Sequence, residues 1–452
     1  MDVKTLVLAR KQEILDNLTT LVSFPSILNK DEAPFPFGKD NADCLDAALK
    51  ICEGYGFKTT NLDNYCGYAE IGSGEKLIGV IGHLDVVPVA DGWNTPPFTA
   101  TIVNDKIFGR GTSDDKGPVA CSMAALKIVQ ELRPNLNKRV RLVMGSNEET
   151  GSACLAYYVK KEGHIDMGFT PDGAFPCIHG EKGMLKADFE CESEHIHNAT
   201  AGIASNVVPN KVSMDIDKDT FDTYKLNDHF ETANIKYNLT DAGNYWHLEV
   251  LGVSAHASTP EAGINAISYA VMGLSAAGLV DTFVDFYSGK IGIDTNGKGF
   301  GVDFNDDYGD LTLSIGVLSQ ENSTITGTID IRFPVTENSI HVSETMTASM
   351  ENEKARLIIK GASEPLYYPI DSPLISLLTE AYVEVTGDTV NKPETMGGGT
   401  YARGINNCVA FGGVFPGSED CHMHDSNEFA VIDDLLKQTE IYVLALLKLI
   451  DA

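Results

Sequence analysis

At 452 residues the chain exceeds what one ordinary core organises, so two or three domains are expected. Hydrophobic residues make up 43% and charged residues 22%, the profile of a well-packed soluble protein and not of a disordered one. Acidic residues outnumber basic ones by 64 to 34, and the formal net charge of -30 repels phosphate backbones and anionic lipid, which argues against nucleic-acid and membrane partners.

The N-terminal stretch MDVKTLVLARKQEILDNLTTLVSF is interrupted early by Arg10, Lys11 and Glu13. It has neither the long apolar core nor the small-residue cleavage site of a secretory signal, and no later run approaches a membrane span. The nine cysteines sit singly, without any CxxC pair, which argues against a disulfide framework and a cysteine-based zinc site. Free thiols and no signal predict a reducing cytoplasm. KLIGVIGHLD (76–85) reads as a buried strand ending in His83 and Asp85. PVACSMAALKIVQELR reads as a helix opened by Pro118, with Val119, Met123, Leu126, Val129 and Leu132 on one face. RVRLVMGSNEE (139–149) is a second buried strand that ends in charge. Strands alternating with helices predict a mostly parallel sheet.

The texture changes after residue 183. YWHLEVLGVSAH and LTLSIGVLSQENSTITGTIDIRFP suit antiparallel strands and hairpins, with GINAISYAVMGLSAAGL as a helix between them. From residue 366 the first texture returns: Pro373 opens a helix, CVAFGGV is a buried strand, and VIDDLLKQTEIYVLALLKLI closes the chain as an amphipathic helix. The expected architecture is α/β, with a catalytic domain over 1–183 and 366–452 and a mixed, mostly parallel sheet. An inserted α+β lid domain over 184–365 interrupts it.

Three apolar runs end in acids or histidine: GHLDVVP, GSNEETGS and GFTPDGAFP. Ligands gather beyond the carboxyl ends of parallel strands, so these ends are expected in one crevice. His83 and Asp85 share a face of extended chain, whereas adjacent Glu148 and Glu149 diverge and need different roles. Asp172 comes from a third segment, Asp114 and Asp115 from the glycine-flanked turn GRGTSDDKGP, and His422 and His424 from SEDCHMHDSNE. Singly, each has an ordinary reading as a cap or a solvated charge. Together they bring several carboxylates without basic partners, whose mutual repulsion a bound cation relieves. Histidine with carboxylate suits Zn²⁺, with Mn²⁺ or Co²⁺ as substitutes, and carries too much nitrogen for Mg²⁺ or Ca²⁺.

HLDVVP, GRGTSDDKG, the paired glutamates, the Pro171–Asp172 step and the late HxxxE from His424 to Glu428 together resemble the co-catalytic zinc aminoacylase and dipeptidase metallopeptidases. FPCIHGEKG, GGGTYAR and the long insert look most like the bacterial PepV-type dipeptidases. The resemblance covers essentially the whole chain. It implies two zinc ions, with His83 and Asp172 on one, Glu149 and His424 on the other, and Asp115 between them. Asp114 competes with Asp115 for that place, and His422 with His424. Asp85 would orient His83, and Glu148 would be the general base that takes a proton from the attacking water and passes it to the leaving amine. The family also carries a cis peptide after the bridging aspartate, here Asp115–Lys116.

In the insert the resemblance assigns His256 of GVSAHAS to the tetrahedral oxyanion. It assigns Arg332 of DIRFP and Asn206 of SNVVPN to a substrate carboxylate, for which Arg332 offers a planar fork. Gly398, Gly399 and Thr400 would line the substrate pocket. The implied activity is hydrolysis of dipeptides with a free C-terminal carboxylate, by a monomer whose small peptide substrate is its partner. The alternative is an amino-acid deacylase of the same family, a desuccinylase or deacetylase.

Overall fold

The computed structural model describes residues 2–29 and 33–452, and the chain forms two compact units. The first takes the chain as far as Gly180, then Tyr368–Thr395 and Gly399–Ala452; the second takes Glu181–Tyr367 with Met396–Gly398.

In the first unit a mixed sheet runs in the order Lys58–Leu62, Cys66–Gly72, Arg139–Gly145, Leu77–His83, Met167–Thr170, Cys408–Ala410 and Ile178–Glu181. Arg139–Gly145, Leu77–His83, Met167–Thr170 and Cys408–Ala410 are parallel neighbours. Every residue of Leu77–His83 is buried, which is why the run reads as continuously apolar where strands on an amphipathic sheet would alternate. The helix Lys116–Leu132 starts two residues before Pro118 and buries nearly its whole circumference, so its sequence is small and apolar on all sides. The last helix, Ile432–Asp451, carries Asp433 and Asp434 in its first turn and Lys448 in its last, both favourable to the helix dipole. Its apolar face, including Leu435, Val443, Leu446 and Ile450, joins Val119, Leu126, Val80 and Leu142 in one core.

The second unit is built on an eight-stranded antiparallel sheet. Its order is Lys236–Ala242, Tyr245–Leu251, Lys211–Asp217, Ile196–Ala201, Thr312–Glu321, Thr324–Phe333, Gly183–Glu192 and Ala355–Ser363. Alternation along Gly183–Glu192 sends Leu185, Ala187, Phe189 and Cys191 into a separate core shared with helices Ala266–Ala276 and Thr282–Lys290. Four helices here begin at Asp222, Asn265, Asp281 and Asn338, whose side chains accept first-turn backbone N–H groups. Among the described residues no helix is long and apolar enough to cross a membrane.

Candidate active site

Leu77–His83 lies between Arg139–Gly145 and Met167–Thr170 with His83 in register with Gly145, so the carboxyl ends of three parallel strands open side by side. His83 ends the first strand, Glu148 and Glu149 follow the second, and Asp172 follows the third. Donor atoms of His83, Asp114 and Glu149 lie within 4.8 Å of one another, as do those of His83, Glu148 and Asp172. His83 is common to both groups.

Asp114, and not Asp115, occupies the central place. One Asp114 oxygen lies 2.9 Å from His83 Nε2 and the other 2.9 Å from His424 Nε2. His424 Nε2 is also 3.2 Å from Glu149, and His83 Nε2 is 3.9 Å from Asp172. The Asp115 carboxylate is fully buried and turned away: its Oδ2 accepts the His83 backbone N–H at 3.0 Å, and its Oδ1 has no partner. The cis bond likewise falls one residue earlier than expected, at Asp114–Asp115. The Asp115–Lys116 peptide enters the helix, where the Asp115 carbonyl accepts from Val119 N–H at 2.9 Å, a bond that requires the ordinary trans geometry. Of the two late histidines, His424 joins the cluster, while the His422 ring lies beside Phe429.

Asp85 does more than orient His83, and by other atoms than expected. Its main-chain oxygen accepts from His83 Nδ1 at 2.9 Å, which turns Nε2 toward Asp114. Its carboxylate lies 3.5 Å from Nδ1 and instead accepts the backbone N–H groups of Glu148 at 2.9 Å and Glu149 at 3.1 Å. One residue thus fixes the histidine and both glutamates.

The electrostatics show a cluster in need of positive charge. Burial and the Asp172 charge push the Glu148 carboxyl well above its ordinary range, and burial and the Asp114 charge raise Glu149. Burial opposes ionisation of Asp114, but hydrogen bonds from His424 and His83 outweigh it and hold the carboxyl well below its ordinary range. Hydrogen bonds to Asp114 and Glu149 push His424 up to about 11. In the protein alone, protons are the positive charge these carboxylates draw, which raises the proton affinity of Glu148, Glu149 and His424. Two imidazole nitrogens and four carboxylates fit a pair of borderline divalent cations, which would take over that role.

Of the remaining predicted residues, His256, Asn206, Arg332 and Gly398 belong to the second unit and Gly399 and Thr400 to the first. His256 is exposed, bridges to Val207 and shares a hydrogen bond with Ser258 Oγ at 2.7 Å. Asn206 is exposed, and its main-chain oxygen accepts from Ala257 N–H. The Arg332 fork is already engaged: Nε and Nη2 donate to Asp330 at 2.6 and 3.2 Å, and Nη1 donates to Gly397 O at 3.0 Å. A two-pronged grip on a substrate carboxylate therefore competes with Asp330, because residues two apart on a strand share a face. Thr400 caps the short helix Tyr401–Gly404. The sequence alone assigns Glu428 and Arg110 no role. They form a fully buried ion pair at 2.8 Å, and the charges inside GRGTSDDKG and SNE were the available signal.

Residues 79–448 match the model of the peptidase family M20/M25/M40. "Putative dipeptidase YtjP" of Bacillus subtilis is 34% identical over 462 residues, covering 98% of each chain. Human carnosine dipeptidase 1 shares the fold at a TM-score of 0.60 and 18% identity, over 100% of this chain and 98% of that one. The di-peptidase Dug1p of Saccharomyces cerevisiae does so at 0.58 and 16% identity, over the same shares. The chain belongs to the peptidase family M20/M25/M40 and is a hydrolase of the metallopeptidase class.

Proposed function

We propose that this enzyme is a dipeptidase that hydrolyses the peptide bond of short substrates with a free C-terminal carboxylate, using two zinc ions. The observation that carries the reading is the Asp114 carboxylate, set with one oxygen toward each of two histidines. His83 and Asp172 would hold one ion, His424 and Glu149 the other, and Asp114 would serve both, in place of Asp115. Mn²⁺ or Co²⁺ could substitute. Bound there, the ions would polarise the scissile carbonyl and make water nucleophilic near neutral pH.

Glu148 is the proposed general base. It stands in the same group as His83 and Asp172 without holding a histidine of its own, and Asp85 fixes its backbone. It takes the proton from the attacking water and returns it to the leaving amine. Burial raises its proton affinity, which suits the second half of that exchange. His256 is proposed to donate to the oxyanion within its own chain, and Asn206 and Arg332 to the terminal carboxylate. Arg332 has at most one N–H beyond those that Asp330, Met184 and Gly397 occupy. Gly398, Gly399 and Thr400 are proposed to line the substrate pocket. The dipeptide assignment is supported by the names of full-length relatives. The test is a panel of dipeptides, tripeptides, and N-acetyl and N-succinyl amino acids, offered to zinc-, manganese- and cobalt-loaded protein. Dipeptides should be turned over fastest; preference for N-acyl amino acids would make the enzyme a deacylase.

A further inference from the structure

The proposed reaction gives Glu428 no work, yet its carboxylate is fully buried and saturated with donors. Oε2 accepts from Arg110 Nη1 at 2.8 Å and from the Gly111 N–H at 2.9 Å. Oε1 accepts the N–H groups of Ser113 at 2.9 Å and Asp114 at 3.2 Å. Two further bonds tie the same segments: Gly109 N–H donates to the Glu428 main-chain oxygen at 3.0 Å, and Ser113 Oγ donates to Phe429 O at 2.7 Å. The turn leaves the strand Lys106–Phe108, whose antiparallel partner Phe429–Val431 begins directly after Glu428. One carboxylate therefore gathers the amides of a turn whose last side chain, Asp114, faces His83 and His424.

Converging backbone N–H groups form a concavity that favours an anion. Stability alone is a poor reason to bury a charge here, because an apolar pair of similar volume commonly serves as well. What an anion supplies, and an apolar group does not, is a fixed position for three N–H donors. Arg110 balances its charge and lies 5.3 Å from the Trp93 ring. His424 stands only four residues before Glu428, so the segment that carries His424 and the turn that carries Asp114 meet at this residue.

We propose that Glu428 is a positioning residue that, with Arg110 as its counter-charge, holds Asp114 between His83 and His424 and thereby sets the affinity of the site for its pair of divalent ions. This rests on the two-metal reading above. Glu428→Gln is the main variant, since its amide keeps the shape but turns an NH₂ toward backbone donors. Metal-stripped full-length wild type, Glu428→Gln and Glu428→Ala are titrated with Zn²⁺ against a chelating dye, with circular dichroism and thermal melts alongside. Folded Glu428→Gln should bind Zn²⁺ about 10–100-fold more weakly, the usual effect of removing a group that supports a metal ligand, and kcat should fall more than KM changes. A lower melting temperature with Zn²⁺ affinity and stoichiometry unchanged would make the role merely structural and overturn the proposal. Wild type that binds fewer than two ions refutes the two-metal reading instead, while the wild-type-to-variant affinity ratio still decides the part played by Glu428. If neither variant folds, amide exchange in the metal-stripped wild type decides: slow exchange at Gly111, Ser113 and Asp114 supports the clamp, and exchange at the rate of an open loop overturns it.

Discussion

Replacing Asp114 and Asp115 separately by asparagine distinguishes two neighbours that are chemically identical and structurally opposite. In Asp114 each oxygen lies 2.9 Å from a different histidine Nε2. On the two-metal reading each oxygen would therefore serve a different ion, beside a different histidine. Asparagine has one acceptor oxygen, so on the two-metal reading one ion would lose the shared ligand along with a full negative charge. A loss of about 3–4 kcal/mol of charge stabilisation corresponds to about 10²–10³ in turnover. Asp115 uses one oxygen to accept the His83 N–H at 3.0 Å, and its other oxygen has no partner. Asparagine retains that acceptor and buries an unpartnered NH₂, at about 1–3 kcal/mol of stability. Its turnover should stay within about tenfold of wild type, a barrier change no larger than about 1.4 kcal/mol. Zinc content by elemental analysis and kcat on a dipeptide, with folding checked by circular dichroism, read both variants. A metal-loaded, active Asp114→Asn beside a metal-depleted, inactive Asp115→Asn would refute the assignment of the bridging place.

Glu149→Ala should lose zinc as well as activity, whereas Glu148→Ala should keep zinc while turnover falls by about 10²–10⁴, the range for general acid–base catalysis; elemental analysis and kinetics separate them, and the reverse pattern would exchange their roles. Arg332→Ala leaves the Asp330 carboxylate, 1% exposed, without its partner, and should lower unfolding stability by about 3–5 kcal/mol; an unchanged denaturation midpoint would show the pair to be inert. In the metal-stripped protein His424 is raised to about 11, so its contribution to stability is fully present below its unfolded value of 6.5 and is lost as pH rises toward 11. Zn²⁺ must displace that proton, so uptake at pH 8 should release protons to an indicator dye and apparent affinity should rise with pH; uptake without proton release would show that His424 is not a ligand.

The strands and helices that place the site were legible because their burial is written in simple patterns. Leu77–His83 is apolar throughout and changes abruptly at His83, and Pro373 marks the first position of the helix Pro373–Thr386. The convergence of His83, Glu148, Glu149 and Asp172 followed from parallel strand ends alone. Which of two adjacent aspartates faces the histidines was not legible, because it depends on the backbone of one turn and on where the helix Lys116–Leu132 starts. Nothing local announces that the buried carboxylate of Glu428 collects amides from a turn more than three hundred residues earlier. The pairing of Arg332 with Asp330 was within reach, since DIR places the two on one side of a strand.

The most direct test of the whole account is the zinc stoichiometry of the enzyme measured together with its dipeptide turnover. Two zinc ions per chain, loss of dipeptide hydrolysis on their removal by a chelator, and recovery on adding two equivalents back are the predicted result. Full turnover by the metal-stripped protein, or a fully loaded protein that hydrolyses no dipeptide, would contradict it.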